Sequence, residues 1–471
     1  MQLHLSRRQA LLELGGGFGA IALAQLLSAD QALADVPQTP LAAGLHHPAK
    51  AKRVIQLFMN GGCSQMDTFD YKPELAKRHG EKVDFGITAA ATSAPGGVMK
   101  SPFEFKQYGQ CGRWVSSVFP QVAECVDDLA FLMAMASKTN VHGPATYMQN
   151  TGFVTPGFPC MGSWICYALG SATENLPAFV VLPDPRGLPY NGTGTFSPGF
   201  LPAAYQGTLI NPGAKEPIAN LRPPQSPRIT LQGEADGLAL LRELNGQHLQ
   251  EHPGDSRLEA RIASYELAAK MQLSAPQVLD LASETAATQE LYGLNDPVTA
   301  PFGKNCLIGR RMLEQGVRFV QVWSGVDGAN NNWDNHNSIP DQLPPIAKSV
   351  DKPIAGLLKD LKQRGLLEDT LVVWTTEFGR MPFTQASVGR DHNGGTFVTW
   401  VAGAGIRGGV SHGQSDEFGY QTAEGKTYCY DLHATILHLL GIDHTRLTVR
   451  HNGIDRRLTD VHGHVISQIL A

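Results

Sequence analysis

The sequence predicts an α/β fold, a three-layer sandwich with a mostly parallel central sheet covered by helices on both faces. Two observations carry this. Short, mainly apolar runs recur at Val54–Met59, Phe179–Leu182, Val317–Trp323 and Leu371–Trp374. Runs of that length and composition, bounded by turn residues, read as strands buried on both faces. Between them lie segments with apolar residues at helical spacing, and strands that alternate with helices form doubly wound, largely parallel sheets.

The elements follow in chain order. Ser6-Arg7-Arg8-Gln9-Ala10-Leu11, a weakly apolar stretch to Leu27 and the small residues Ala32-Leu33-Ala34 form the pattern of a twin-arginine export signal over residues 1–34. Nothing later approaches the roughly 18 apolar residues that span a bilayer. The chain is therefore expected to be exported, to the periplasm or beyond, with 35–471 forming the folded part. The first strand, Val54–Met59, ends in Asn60-Gly61-Gly62. Phe119 to Leu129 has helical spacing through Val122, Val126 and Leu129, and it leads into the apolar run Leu129–Met135. After the strand Phe179–Leu182, residues 183 to 232 are rich in Pro, Gly and Asn and carry little periodicity. Residues 256 to 292 read as helical, with Leu258, Ile262, Tyr265 and Ala269 on one stripe. Residues 183 to about 300 are thus expected to form an insertion that shapes or covers the site. Pro353 to Arg364 reads as a helix with proline near its start and Gly365 past its end. A late helix, Asp431 to Leu440, is closed by Gly441.

Composition excludes more than it names. The net charge is −5 and the charged fraction is 17%. No basic run interleaved with aromatics points to nucleic acid. Seven cysteines without a C-x-x-C argue against a zinc ribbon. Cys160 and Cys166 are spaced to pair across a loop.

The residues that carry chemistry fall in four places: Asn60, Asp67 and Asp70 after the first strand; His142 at the head of a helix; Asp327 and Trp333-Asp334-Asn335-His336 after the strand ending at Trp323; and Glu377, Arg380, Asp391 and His392 after Trp374. In open α/β sheets, ligands bind beyond the carboxyl ends of the strands. Carboxylates and imidazoles converging from separate loops are the construction of a hydrolytic metal site. Ser64 and Thr68 are hydroxyls in the same region, although glycine-rich loops use such residues first for turns.

Several stretches resemble the alkaline phosphatase and sulfatase superfamily. Gly365 to Gly379 is similar to the sulfatase strand that runs into a metal-ligating loop. Asp431 to Gly441 resembles the late helix of those enzymes, and Phe119 to Met135 their early helix. The closest resemblance, end to end, is to an exported bacterial sulfatase-like family of unknown function within that superfamily (domain of unknown function 1501). Laying Thr151-Gly152 on the Thr-Gly of sulfatases sets Pro144 on the proline of their C-x-P-x-R motif. His142 then falls on the nucleophile and Thr146 on the arginine. No C-x-P-x-R exists in this chain, so the resemblance does not extend to a formylglycine nucleophile. Asn60-Gly61 stands in place of an Asp-Asp pair, and Phe378 in place of a ligand.

The resemblance and the residues together imply a metal-dependent hydrolase of a sulfate or phosphate ester, small-molecule or glycan. Asp67, Asp334, His336, Glu377, Asp391 and His392 are the candidate ligands of a divalent cation. His142 would act beside the attacked atom, and Arg380 would balance developing charge. A mixed nitrogen and oxygen set suits zinc, manganese or iron better than calcium. The alternative is a non-catalytic relative that binds an anionic glycan or a protein partner.

Overall fold

The computed structural model describes residues 40–41, 44–86, 95–218, 231–252, 256–328 and 332–471. The expected export segment lies outside these residues. No described helix is long and apolar enough to cross a membrane.

In chain order the main elements are β1 (Arg53–Met59), β2 (Leu129–Met135), α1 (His142–Thr151), α2 (Met161–Leu169), β3 (Phe179–Leu182), β4 (Thr208–Leu209), α3 (Leu231–Glu251), α4 (Ser256–Leu279), α5 (Ala300–Glu314), β5 (Phe319–Ser324), α6 (Ile339–Gln363), β6 (Thr370–Thr375), β7 (Gly379–Gln385), β8 (Gly389–Asn393), β9 (Phe397–Gly403), β10 (Val410–His412) and α7 (Cys429–Leu439). Eight of these strands form one sheet in the order β10-β2-β9-β6-β1-β5-β3-β4. β9 alone runs antiparallel to its neighbours. The remaining pairs are parallel, so the expected mostly parallel sheet is the one that forms.

Side-chain alternation along β1 divides the core into two apolar layers. Ile55, Leu57 and Met59 face a layer that includes Leu307 and Ile308 of α5 and Ile354 and Leu357 of α6. Val54 and Phe58 face a second layer with Trp164 and Ile165 of α2 and Leu432 and Ile436 of α7. Helices on both faces make the sheet the middle of three layers.

Four expectations need correction. The helix read from Pro353 begins at Ile339, after Ser338, and continues through Pro344, Pro345 and Pro353. Each internal proline removes a backbone hydrogen bond. Leu343, Ala347, Val350, Ile354, Leu357 and Leu361 lie on one buried stripe of α6, and that burial outweighs the lost bonds. The helical spacing before Leu129 yields only a short 3-10 turn, Val122–Asp128. Asp391 and His392 are not in a loop; they lie on β8, which pairs antiparallel with β7. The cysteines are all free, and Cys160 stands at the cap of the helix that carries Cys166.

The expected insertion divides in two. α4 packs on α5 and on the 3-10 turn Ala203–Tyr205, with Met271, Ala275 and Val278 buried. Of the expected stripe, Leu258 is buried, whereas the side chains of Tyr265 and Ala269 lie outside those described. The stretch just after β3 turns instead toward the carboxyl ends of the central strands.

Candidate metal centre

His142 is the first residue of α1. The helix ends at Gly152, which takes φ +80° and returns its N–H to Met148. One ring nitrogen, Nδ1, lies 2.7 Å from Glu377 Oε1. Glu377 follows β6 and is fully buried. Its carboxylate also accepts the Gly61 N–H at 2.8 Å and the Thr376 hydroxyl at 3.2 Å.

Gly61 must be glycine. It sits at φ +120°, and a Cβ there would stand 2.6 Å from Trp333 N and 2.7 Å from Asp334 N. This close approach joins the loop after β1 to the loop after β5. Trp333 anchors the second loop: its indole donates to Ser324 Oγ at 3.1 Å, its backbone N–H donates to Asn60 O at 3.0 Å, and its ring lies parallel to Phe119. Asn332 Oδ1 accepts the Asp334 N–H at 2.9 Å, so Asp334 and His336 are delivered on a pinned backbone.

Asp334 Oδ1 is the centre of the cluster. It lies 2.7 Å from His336 Nε2, 3.2 Å from His392 Nε2, 3.3 Å from His142 Nε2 and 2.6 Å from Arg380 Nη2. His336 Nε2 and His392 Nε2 are 2.8 Å apart. One ligand atom each from His142, Asp334, His336 and His392 falls within 4.8 Å of the others. His392 is aimed there by β8, where the pairing register with β7 shifts between Arg390 and His392; such bulges re-aim side chains.

The far side of each imidazole decides what its near side can do. His142 Nδ1 faces the Glu377 carboxylate, His392 Nδ1 faces the Asn140 carbonyl at 2.8 Å, and His336 Nδ1 faces Gln385 Oε1. All three partners are acceptors, so each Nδ1 carries the proton. A ring that is neutral in this tautomer presents its Nε2 lone pair inward. Three ring nitrogens and one carboxylate oxygen therefore converge on one point, with the Arg380 guanidinium on the same carboxylate oxygen and 3.5 Å from His336 Nε2. His142 Nε2 is buried with no hydrogen-bond donor to satisfy it.

The titration directions differ across the cluster. Burial alone would raise the Asp334 carboxyl, but Arg380 and the three imidazoles outweigh it and hold the group far below the usual carboxylate range. Burial drives His392 down to about 4, against the pull of Asp334. Burial also opposes charge on His142, yet Asp334 and Glu377 together raise it. Positive charge is thus favoured at His142 and excluded from His392.

Four expected residues take other places. Glu377 is not at the centre; it holds His142 from behind. Asp67 lies in the 3-10 turn Gln65–Asp67, fully buried, with Arg390 on both oxygens at 2.6 and 3.2 Å and Ser64 Oγ at 2.5 Å. That ion pair takes it out of the ligand set. Asp391 accepts the backbone N–H of its neighbour His392 at 2.7 Å and is not among the four converging groups. Arg380 is fully buried, with Nε on Gly62 O at 2.7 Å, Nη1 on Arg390 O at 3.1 Å, and Nη2 on Asp334 and Gly61 O. Its donors serve the protein, so it braces Asp334 rather than reaching outward. Ser64 donates to Asp67, and Thr68 donates to Ser64 O at 2.7 Å; neither hydroxyl is turned to the cluster.

Three neighbours were not legible in the sequence. Phe378 packs at 4.8 Å from the rings of both His142 and His392, a wall where the sequence suggested a missing ligand. Gln385, from β7, fixes His336. Tyr190 stacks on His142, ring centroids 4.4 Å apart and planes 9° apart. Burial and the charge of Asp334 raise its phenol above the ordinary value.

Fold and site together define a three-layer α/β protein with a histidine-rich candidate metal centre at the carboxyl ends of β1, β5 and β6. Residues 51–470 match the family described as "Protein of unknown function (DUF1501)", and the chain belongs to that family. No curated protein matches it in sequence. Among solved structures it is similar to the PsFucS1 sulfatase from Pseudoalteromonas sp., with 13% identity over 83% of this chain and 68% of that one, at a TM-score of 0.36. It is also similar to the lipoteichoic acid synthase LtaP from Listeria monocytogenes, with 8% identity over 85% and 75% and a TM-score of 0.35. The alkaline phosphatase from the Antarctic bacterium TAB5 has 10% identity over 75% and 92%, at a TM-score of 0.30.

Proposed function

We propose that this protein is an exported, metal-dependent hydrolase of a sulfate or phosphate ester. The observation that carries the reading is the convergence of three imidazole nitrogens and one carboxylate oxygen within 4.8 Å of one another. His142, His336, His392 and Asp334 would hold one divalent cation, and three nitrogens with one oxygen suit zinc, manganese or iron. When bound, such a cation supplies Lewis acidity toward an ester oxygen.

The remaining residues set the stage. Glu377 accepts the His142 Nδ1 proton, which fixes the tautomer and raises the basicity of Nε2. Gln385 and the Asn140 carbonyl do the same for His336 and His392. Arg380 holds Asp334 in place and keeps it ionised. Phe378 and Tyr190 wall the cluster and limit water. With Ser64 and Thr68 turned elsewhere and His142 committed to the cation, the attacking group on this reading is a water molecule. The loop 183–192 and the helices to residue 300 are proposed as the insertion that individualises this fold. That Ser64 and Thr68 are turned away from the cluster favours the second reading, a protein that binds an anionic glycan or a protein partner without hydrolysing anything.

Metal analysis with turnover on aryl sulfates and aryl phosphates separates the two. A second group, His248, Glu251 and His252, sits on the exposed end of α3 and would capture metal of its own. The titration therefore belongs in a His248→Ala, His252→Ala background. We expect one equivalent of tightly held metal, lost in His336→Ala and His392→Ala, together with ester turnover. Metal without turnover on either ester class supports the binding reading. Absence of bound metal rejects both the centre and the hydrolase.

A further inference from the structure

We infer that Tyr190 is a substrate-contacting residue whose phenol hydroxyl donates a hydrogen bond to an oxygen of the anionic group held at the cluster. This rests on the hydrolase reading above and adds to it the side chain that recognises the anion.

The loop after β3 is built to place this ring. Asn191 adopts the left-handed conformation at φ 66°, which a non-glycine residue adopts at a cost. In that conformation its Nδ2 donates to the Gly143 carbonyl at 2.8 Å, on the first turn of α1. Thr195 Oγ1 donates to the Tyr190 carbonyl at 2.8 Å. The first bond ties the loop to the helix that begins with His142, the second closes the loop on itself, and the Tyr190 ring lies flat on that imidazole.

The phenol oxygen accepts from Asn332 Nδ2 at 3.0 Å. A phenol has one proton to donate. Among the described residues no group accepts it, so the donor points away from Asn332. Asn332 is two residues before Asp334, and its Oδ1 holds the Asp334 backbone; the hydroxyl therefore sits beside the cluster. Other donors there are already engaged. Each imidazole Nδ1–H faces its own acceptor, and the Arg380 donors are turned to protein oxygens and, at 3.5 Å, to His336 Nε2. An anion at the cation would meet neutral imidazoles and aromatic walls on most sides, and Tyr190 supplies an uncommitted donor.

The test is Tyr190→Phe, which keeps the ring on His142 and removes only the hydroxyl. Inorganic phosphate and inorganic sulfate serve as probes, titrated by calorimetry into metal-loaded wild type and variant, with metal content measured in parallel. We expect unchanged metal content and affinity in the variant, with anion affinity about ten-fold or more weaker, the loss typical of a hydrogen bond to a charged group. Equal anion affinity in wild type and variant overturns the inference. Loss of metal from the variant also overturns it, because the hydroxyl would then be supporting the cluster. Failure of the metal-loaded wild type to bind either anion overturns the hydrolase reading itself, and that result is seen before any variant is made.

Discussion

At the scale of single residues, the centre depends on groups that never touch the cation. Glu377 illustrates this: its carboxylate is spent on the His142 Nδ1 proton and the Gly61 N–H. Replacing it with glutamine keeps the shape and removes the charge. We expect Glu377→Gln to bind metal about 10- to 100-fold more weakly, with the fold intact; competition against a chromogenic chelator measures the loss. Proton linkage is a second consequence. The raised pKa of His142, held up by Asp334 and Glu377 against burial, means that a proton competes with a cation for its Nε2. Metal affinity is therefore expected to fall as pH drops below the His142 value, with release of a proton on binding. Calorimetry in two buffers of unlike ionisation enthalpy reads that proton directly. The residue types of the site were legible: His142, Asp334, His336 and His392 were all candidates. Their grouping was not. Asp67 and Glu377 look like equally good ligands in a sequence, and only the partners Arg390 and His142 tell them apart.

At the scale of elements, the site is assembled from loop contacts that leave no room. Gly61 stands where the loops after β1 and β5 meet, and a Cβ there would strike backbone atoms, which cannot rotate away. We expect Gly61→Ala to cost about 2–4 kcal/mol of stability and to lose metal, measured by urea unfolding and metal analysis. α7 and α1 meet through His433, fully buried, whose Nε2 donates to the Gln149 carbonyl at 3.0 Å. Burial depresses its pKa from 6.5 to about 4. A depressed base favours the unfolded state wherever that state takes up the proton first. Its contribution is thus whole above pH 6.5 and is lost as pH falls toward 4, by roughly 3 kcal/mol. The slope of urea-derived stability between pH 7 and pH 4 should flatten by about that amount in His433→Phe; an unchanged slope would refute the assignment. Most elements were readable because apolar periodicity reports burial. α6 was misread at its start because proline is a strong local signal, and the local signal lost to a buried stripe six residues long. The hairpin β7–β8 was not legible as paired strands because β8, Gly389-Arg390-Asp391-His392-Asn393, has four polar residues among five and yet is wholly buried. Their burial is sustained by ion pairs and backbone hydrogen bonds that a period-two pattern does not encode.

At the scale of the whole molecule, two apolar layers sandwich the sheet, and neither depends on the cluster. The fold should therefore survive removal of the cation, unlike small domains that a metal holds together. Chelated protein is expected to keep its far-ultraviolet spectrum. Metal at 100 times its dissociation constant should add about 2.7 kcal/mol to the stability, seen as a rise in melting temperature that vanishes in His392→Ala. What the sequence determined by itself was the order of strands and helices, the layered class, and the residue types gathered at the carboxyl ends, because periodicity and turn chemistry are local properties of the chain. What only the tertiary structure decided was which of those residues face each other. Glu377 and His142 are 235 positions apart in sequence, and Asp67 and Arg390 are 323 apart. A carboxylate becomes a ligand, a brace or half of an ion pair according to the group that the sheet sets opposite it, and that choice is made by strand order and register.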